Sequence, residues 1–208
     1  MSVPKIVNVQ AQKSRIAAAV WRLVANQGLD AVSIRTVAAE ADISVGQVQH
    51  YFATKHELLY AGIAHSYELI ERMIEETAPW QETSEQALLY TIFTLLLGEN
   101  TTMRDAIRVN LAFAARKAKE ARIQELLTSG DAEIIALTQR VIEQAQQAGE
   151  IAASVEAAAE ARALFGLVQG LGIQVSVYQY DATTAHTTFM HYLQRLGLNL
   201  AVESSGFP

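Results

Sequence analysis

The stretch that decides the fold reads Ser33-Ile-Arg-Thr-Val-Ala-Ala-Glu-Ala-Asp-Ile-Ser-Val-Gly-Gln-Val-Gln-His-Tyr-Phe-Ala-Thr-Lys-His-Glu-Leu-Leu59. Ser33 is a good N-cap, and Ile34, Val37, Ala38 and Ala41 follow at i, i+3, i+4 and i+7, the apolar stripe of a short amphipathic helix. Ser44 and Gln47 form a Ser-x-x-Gln capping box that opens a second helix. Only Asp42 and Ile43 lie between the two, so the helices must cross at a large angle, as in a helix-turn-helix. Asp42 stands where left-handed backbone is often needed, and Asp accepts that conformation better than most residues with a Cβ. Thr54 and Glu57 make a further box that opens a long helix to about Thr77, and Pro79 prevents simple continuation.

Outward from this stretch the pattern stays helical. Upstream, Ile16, Val20, Leu23 and Val24 recur at helical spacing, with Gly28 as a stop. Downstream, Thr83-x-x-Gln86 predicts a helix ending at Gly98, and another runs from near Thr102 to about Lys117. A long segment from about Glu120 to Ala148 follows, which Gly130 would weaken and Gly149 would stop. Ser154 is the expected cap of a helix reaching about Tyr180, and the last helix spans about Thr183 to Leu196 before Gly197. The alternation of Ile173, Val175 and Val177 is read as the end of an apolar helix, not a strand. The expected fold is all-α: a three-helix head, residues 1–56, joined without a flexible linker to a larger helical body, residues 57–208.

The chain has 208 residues, half of them apolar and 18% charged, which suits a globular protein and excludes a mainly disordered one. With no Cys there are no disulfides, thiolate metal sites or Cys nucleophile. Met1-Ser2-Val3-Pro4-Lys5 leads into no long apolar stretch, so no signal peptide is expected. The most apolar run, Leu88 to Leu97, is interrupted by Thr91 and Thr94 and falls well short of the roughly 20 residues that span a bilayer. The expectation is a soluble, cytoplasmic protein with no membrane partner. Charge is uneven: residues 1–60 carry six cations and four anions, +2, and the remainder carries 10 cations and 18 anions, −8. A weakly positive head on an acidic body points any polyanion toward the head.

At 100° per residue, Val45, Val48 and Phe52 fall in one apolar arc of the second short helix. Gly46, Gln47 and His50 point the opposite way, flanked by Gln49 and Tyr51. That outer face carries donors and acceptors without full charge. Gln can bond adenine with both ends of its amide in the major groove, and Gly46 would let the backbone approach a phosphate chain. Arg35, Thr36 and Lys55 frame the face. The alternative is that these polar residues only solvate a surface helix.

These residues resemble the DNA-binding signature of the tetracycline-repressor (TetR) family, over about Lys13 to Tyr60. The specific parts are Ser33-Ile34 followed by Val37-Ala38, the Ser44-Val45-Gly46 helix start, and Tyr51-Phe52-x-x-Lys55-x-x-Leu58-Leu59. Met103 to Leu198 is most similar to the betaine-regulator-like branch. The resemblance implies a ligand-responsive regulator, by default a repressor, that binds double-stranded operator DNA as a homodimer. It implies that Ser33 and Thr36 contact phosphate and Arg35 reaches a base edge. Gly46, Gln47 and His50 would face the groove, and Tyr51 and Lys55 would hold the backbone. Many members have Tyr where this chain has Gln49, which implies a different base preference. Asp42 replaces a frequent Gly.

In the body, Leu88, Leu89, Ile92, Phe93, Leu95, Leu96 and Leu97 cover nearly every direction of their helix, which predicts burial on most sides. Ile107, Leu111, Phe113 and Ala114 are expected to line its neighbour. The resemblance implies a cavity for an unidentified, mostly apolar small-molecule effector, for which Phe93, Leu97, Asn110, Phe113, Phe165 and Gln169 are the candidates. Plain core packing explains the same residues. Gly166, Gly170 and Gly172 lie within roughly two helical turns, where each Gly costs about 1 kcal/mol. Close helix approach would explain them, as would shaping of a cavity wall. The resemblance implies that the last two long helices pair with a second copy as a four-helix bundle. Leu167, Leu171, Gln174, Val175, Tyr178, Phe189, Leu193 and Leu196 are the candidate seam.

Enzyme signatures are missing from the sequence: no Gly-rich phosphate loop, nucleophile elbow or His-Glu-x-x-His pair. His186 and His191 are five apart, about 140° around a helix, which does not suit a shared metal. Glu68, Glu71, Glu75 and Glu76 read as solvated faces. No cofactor is expected. The rival is an all-helical ligand-binding or interaction protein without specific DNA binding.

Overall fold

The computed structural model describes residues 9–79, 83–115 and 121–200. These form nine α-helices with no strand among them: α1 (Val9–Gln27), α2 (Ile34–Glu40), α3 (Val45–Tyr51), α4 (Lys55–Thr77), α5 (Glu85–Leu96), α6 (Thr101–Ala115), α7 (Ala121–Gln147), α8 (Ala157–Tyr178) and α9 (Ala182–Leu196). A 3₁₀ turn, Leu29–Ala31, follows α1 and was not legible in the sequence pattern. Met1–Lys5 and the expected helix limits at Lys117 and Glu120 lie outside the described residues.

Local hydrogen bonds set the head's helices. The Ser33 and Ser44 side chains accept from the backbone N–H of Thr36 and Gln47, and the Thr36 and Gln47 side chains accept in return from the N–H of their caps. Asp42 has φ +50°, the left-handed conformation expected of it. Arg15 Nη2 donates to the Asp42 carbonyl at 3.2 Å, which holds the turn against α1. Glu57 accepts from the N–H of Ala53 at 2.7 Å, and Thr54 Oγ1 accepts from the N–H of Glu57, so α4 starts where expected.

Several limits in the body differ from expectation. The cap of α5 is Ser84, one residue after Thr83. Asn100 Oδ1 accepts from the N–H of Met103, so α6 begins one residue before Thr102. Ser154 caps nothing: Gln146 Nε2 donates to the carbonyls of Ala152 and Val155, ties that segment to the end of α7, and delays α8 to Ala157. At its other end α8 stops at Tyr178, because Gln179 turns left-handed (φ +58°). Gly130 does not interrupt α7.

The chain divides into two compact units. The first comprises the described parts of Met1–Leu69 and of Val109–Gln124, so its packing continues along α4 well past residue 57. Ile16, Val20, Leu23, Val37, Val48, Leu58 and Ile63 are buried in it. Gly62 makes the close approach of α4 to α1: a Cβ there would lie 2.5 Å from Val20 Cγ1. Arg122 stacks over the Tyr60 ring at 4.2 Å.

The second unit holds the described parts of Ile70–Arg108 and Glu125–Pro208. Its core joins Leu89, Ile92 and Phe93 of α5, Val141 and Ile142 of α7, Leu164 and Val168 of α8, and Phe189 and Leu193 of α9. The Phe93 and Phe189 rings meet edge to face, 5.7 Å between centroids. Glu85 at the start of α5 accepts from Arg140 and Gln144 of α7, and Arg108 donates to the Ser176 carbonyl of α8. Gly172 takes α8 across the end of α5, where any Cβ would collide with the Leu96 carbonyl oxygen.

Candidate functional site

In α3, Val48 is fully buried, and Phe52 just after it is nearly so, which anchors the helix against the head. Gly46, Gln47, Gln49 and His50 are exposed, and Tyr51 is half-buried with its ring edge-on to His50, 4.9 Å between centroids. The outer face expected from the wheel is therefore open in the protomer. Val45 departs from the expected apolar arc: it is 41% exposed. It is the first residue of α3, and helical side chains lean toward the N-terminus, which carries it past the cover that Val48 enjoys. That lean is the signal that could have found it.

Three expected DNA contacts already have structural partners. Thr36 Oγ1 has a single proton and faces the Ala31 carbonyl at 2.6 Å and the Ser33 carbonyl at 3.0 Å, while accepting from Ser33 N–H. Gln47 Oε1 lies 3.0 Å from Ser44 N and 3.2 Å from Ser44 Oγ. Its amide oxygen is thus held by the cap, leaving only the NH₂ end for a base, so the two-ended adenine bond expected of a Gln is not available to Gln47 as it stands. Ser33 Oγ shares a hydrogen bond with Thr36 Oγ1 and accepts from Thr36 N–H.

The head's cations also separate. Arg22 pairs with Glu40 at 2.6 Å, and Arg15 lies 3.8 Å from the Asp42 carboxylate. Arg35 and Lys55 are exposed, as is Lys13, which the sequence reading had not singled out. None of these three has an ion pair or hydrogen bond among the described residues.

The effector candidates fall into both units. Asn110 and Phe113 belong to the first, Phe113 buried and Asn110 half-buried. Leu111 and Ala114 are exposed, contrary to the expectation that they line a neighbouring helix, because the buried side of α6 there runs through Val109 and Phe113. Phe93, Leu97 and Phe165 are buried in the second unit. Gln169 is exposed and hydrogen-bonded to Asp131, whose carboxyl burial pushes up in pKa against the lowering effect of that bond. Tyr90 Oη lies 3.4 Å from His186 Nε2, a polar pair beside the core that sequence reading missed. Among the described residues no group of three or more His, Asp or Glu could hold a metal ion.

Of the candidate seam residues, Phe189 and Leu193 are fully buried in the protomer's own core, and Leu171 and Val175 nearly so. Leu167 and Leu196 are half-buried; Gln174 is exposed, and Tyr178 is 66% exposed. The three glycines of α8 divide in the same way. Gly172 faces α5, whereas a Cβ on Gly166 or Gly170 would meet nothing within 4 Å.

Residues 16–61 match the family model described as bacterial regulatory proteins, tetR family. Residues 85–198 match that of the BetI-type transcriptional repressor, C-terminal. The HTH-type transcriptional regulator PksA of Bacillus subtilis is 24% identical over 171 residues, 82% of each chain. The HTH-type transcriptional repressor KstR of Mycobacterium tuberculosis is 27% identical over 122 residues, and the match spans 56% of its length and 57% of this chain. Among solved structures, a putative regulator from Saccharomonospora viridis in complex with choline superposes with TM-score 0.74 at 19% identity, over 89% of this chain and 96% of its own. Salmonella enterica GusR superposes with TM-score 0.61 at 26% identity, over 91% of this chain and 99% of its own.

Proposed function

Because the chain belongs to the tetR family of bacterial regulatory proteins, with a BetI-type repressor C-terminal part, we propose that it represses transcription as a homodimer on a roughly palindromic operator and is released by a small, mostly apolar effector. It is a DNA-binding transcriptional regulator, and such regulators bind operator DNA and small molecules, usually as dimers. The observation that carries the reading is the open outer face of α3, in a head whose Lys13, Arg35 and Lys55 are exposed and have no protein partner among the described residues. A DNA-binding role also puts the protein in the cytoplasm, and no helix among the described residues is long and apolar enough to cross a membrane.

Lys13, Arg35 and Lys55 are the proposed phosphate contacts; Arg35, for which the resemblance implied a base edge, lies exposed on α2, the helix that crosses the backbone in a helix-turn-helix. Three per head and two heads predict a log–log salt slope of about −5. Titration of a labelled duplex from the DNA upstream of the gene, at several salt concentrations, measures it. R35A and K55A should each flatten the slope and weaken binding with little change in sequence preference. A flat slope, or affinity equal to that for unrelated DNA, would reject specific operator binding.

The dimer seam is proposed along the outer side of α8, through Gly166, Gly170, Gln174 and Tyr178, with Leu167 and Leu196 at its margin. Gly166 and Gly170 are costly in a helix, and packing inside the protomer does not require them. A partner helix that must come close would. Gly170→Leu should therefore favour the helix of the isolated protomer yet break the dimer. Sedimentation should then report monomers and weakened operator binding; a dimer unchanged in strength would reject this seam.

Release follows if the effector biases α4, which runs unbroken from Lys55 to Thr77 with residues in both units. A coupling of about 1–3 kcal/mol changes operator affinity roughly 5- to 150-fold. Phe93, Leu97 and Phe165, apolar and buried in the second unit, are the proposed contacts of the effector's apolar part. The neighbour solved with choline makes quaternary ammonium compounds a natural first set for thermal-shift screening.

A further inference from the structure

Resting on the operator-binding reading above, we propose that Val45 and Gln49 set the operator's sequence: Gln49 reads an adenine, and Val45 packs on a thymine methyl close by, so the core of each half-site is A·T at both positions. The two residues are four apart on α3 and share a face. About 6 Å of helix separates them, one or two base-pair steps. Between them Gly46 offers no side chain to hold the helix off the DNA, and Gln47 has its amide oxygen engaged by Ser44.

The assignment follows from what the major groove offers and what α3 carries. Guanine is most often read by Arg or Lys, and cytosine by Asp or Glu. The helix Val45–Tyr51 contains none of these four types. Adenine presents an acceptor and a donor side by side, which both ends of one amide can match. Gln49 is exposed and makes no hydrogen bond among the described residues, so both ends of its amide remain available. Thymine is distinguished by its C5 methyl, which wants an apolar surface. Val45 is the one exposed large apolar side chain on α3. Removing it from water against a methyl is favourable, whereas against the cytosine amine it would desolvate a donor without replacing its partner.

The test selects duplexes from a random library with the full-length protein, then alters single atoms in the selected site. Deoxyuridine in place of thymine removes only the methyl; 7-deazaadenine in place of adenine removes only the N7 acceptor. The expected result is a site in which one thymine and one neighbouring adenine per half-site respond. Wild-type affinity should fall about 3- to 5-fold for the methyl and about 5- to 100-fold for the acceptor. V45A should lose the response to deoxyuridine alone, and Q49A the response to 7-deazaadenine alone. Both side chains are exposed, so both variants should keep the wild-type melting temperature, and R35A should keep both responses. A selected site whose preferred positions are all G·C, or one indifferent to both analogues, overturns this inference while leaving specific operator binding intact. A library that yields no preferred sequence overturns the operator reading itself, and this inference with it.

Discussion

Gly172→Ala is expected to destabilise the protein by about 3 kcal/mol, lowering the melting temperature by roughly 6–12 °C for a chain of this size. The added methyl would collide with the Leu96 carbonyl oxygen and would also press on Ile107 Cδ1, 3.3 Å away. Ile107 can rotate. The carbonyl cannot, because it belongs to the last turn of α5, and that helix is fixed by buried Leu89, Ile92 and Phe93. Relief therefore requires α5 and α8 to separate, which opens contacts throughout the core they share. The same substitution at Gly46, where the nearest heavy atom is 4.0 Å away, should instead gain a few tenths of a kcal/mol to about 1 kcal/mol from helix propensity. Urea unfolding of both variants measures the pair. A G172A variant within 0.5 kcal/mol of wild type would show that α8 does not cross α5 at this glycine.

That contrast marks where sequence reading stops. Three glycines in α8 look alike as letters, and only the packing separates Gly172, which admits α5, from Gly166 and Gly170, which face open space. Apolar periodicity has the same blind spot. It places Phe189 and Leu193 on one stripe of α9, but it cannot say whether the stripe meets the chain's own core or a second copy; here it meets the core. Where the determinant is local, the sequence was read well. The cap at Ser33, the boxes at Ser44 and Thr54, the left-handed Asp42, and the positive-φ glycines 28, 98, 149 and 197 need only neighbours a few residues away. Misplaced helix starts arise where two polar residues compete for a cap. Ser84 wins over Thr83, and Ser154 loses because Gln146, on the preceding helix, holds the backbone beside it. The open outer face of α3 was legible in outline for the same reason, yet the capping role of Gln47 and the exposure of Val45 change which of its side chains have free groups to offer.

Gly46→Asp is expected to lower operator affinity at least 100-fold while leaving the fold intact or slightly firmer. Position 46 is the second residue of α3, after the Ser44 cap. An acidic side chain in a helix's first turn is favoured by the unpaired N–H groups there, by about 0.3–1 kcal/mol. The position is open, so nothing in the protomer must move to admit the carboxylate. On DNA the same charge meets the duplex's phosphates in a closed interface, where like-charge opposition costs several kcal/mol, once for each head of a dimer. The two effects have opposite signs, which separates a damaged interface from a damaged fold. A melting temperature equal to or above wild type, with operator binding lost and thermal shift by an effector retained, is the result the model of this face demands. Gly46→Ala, adding a methyl without charge, should lose far less. If G46D instead binds its selected operator as wild type does, the outer side of α3 does not lie against the phosphate chain, and the recognition surface must be sought elsewhere on the head.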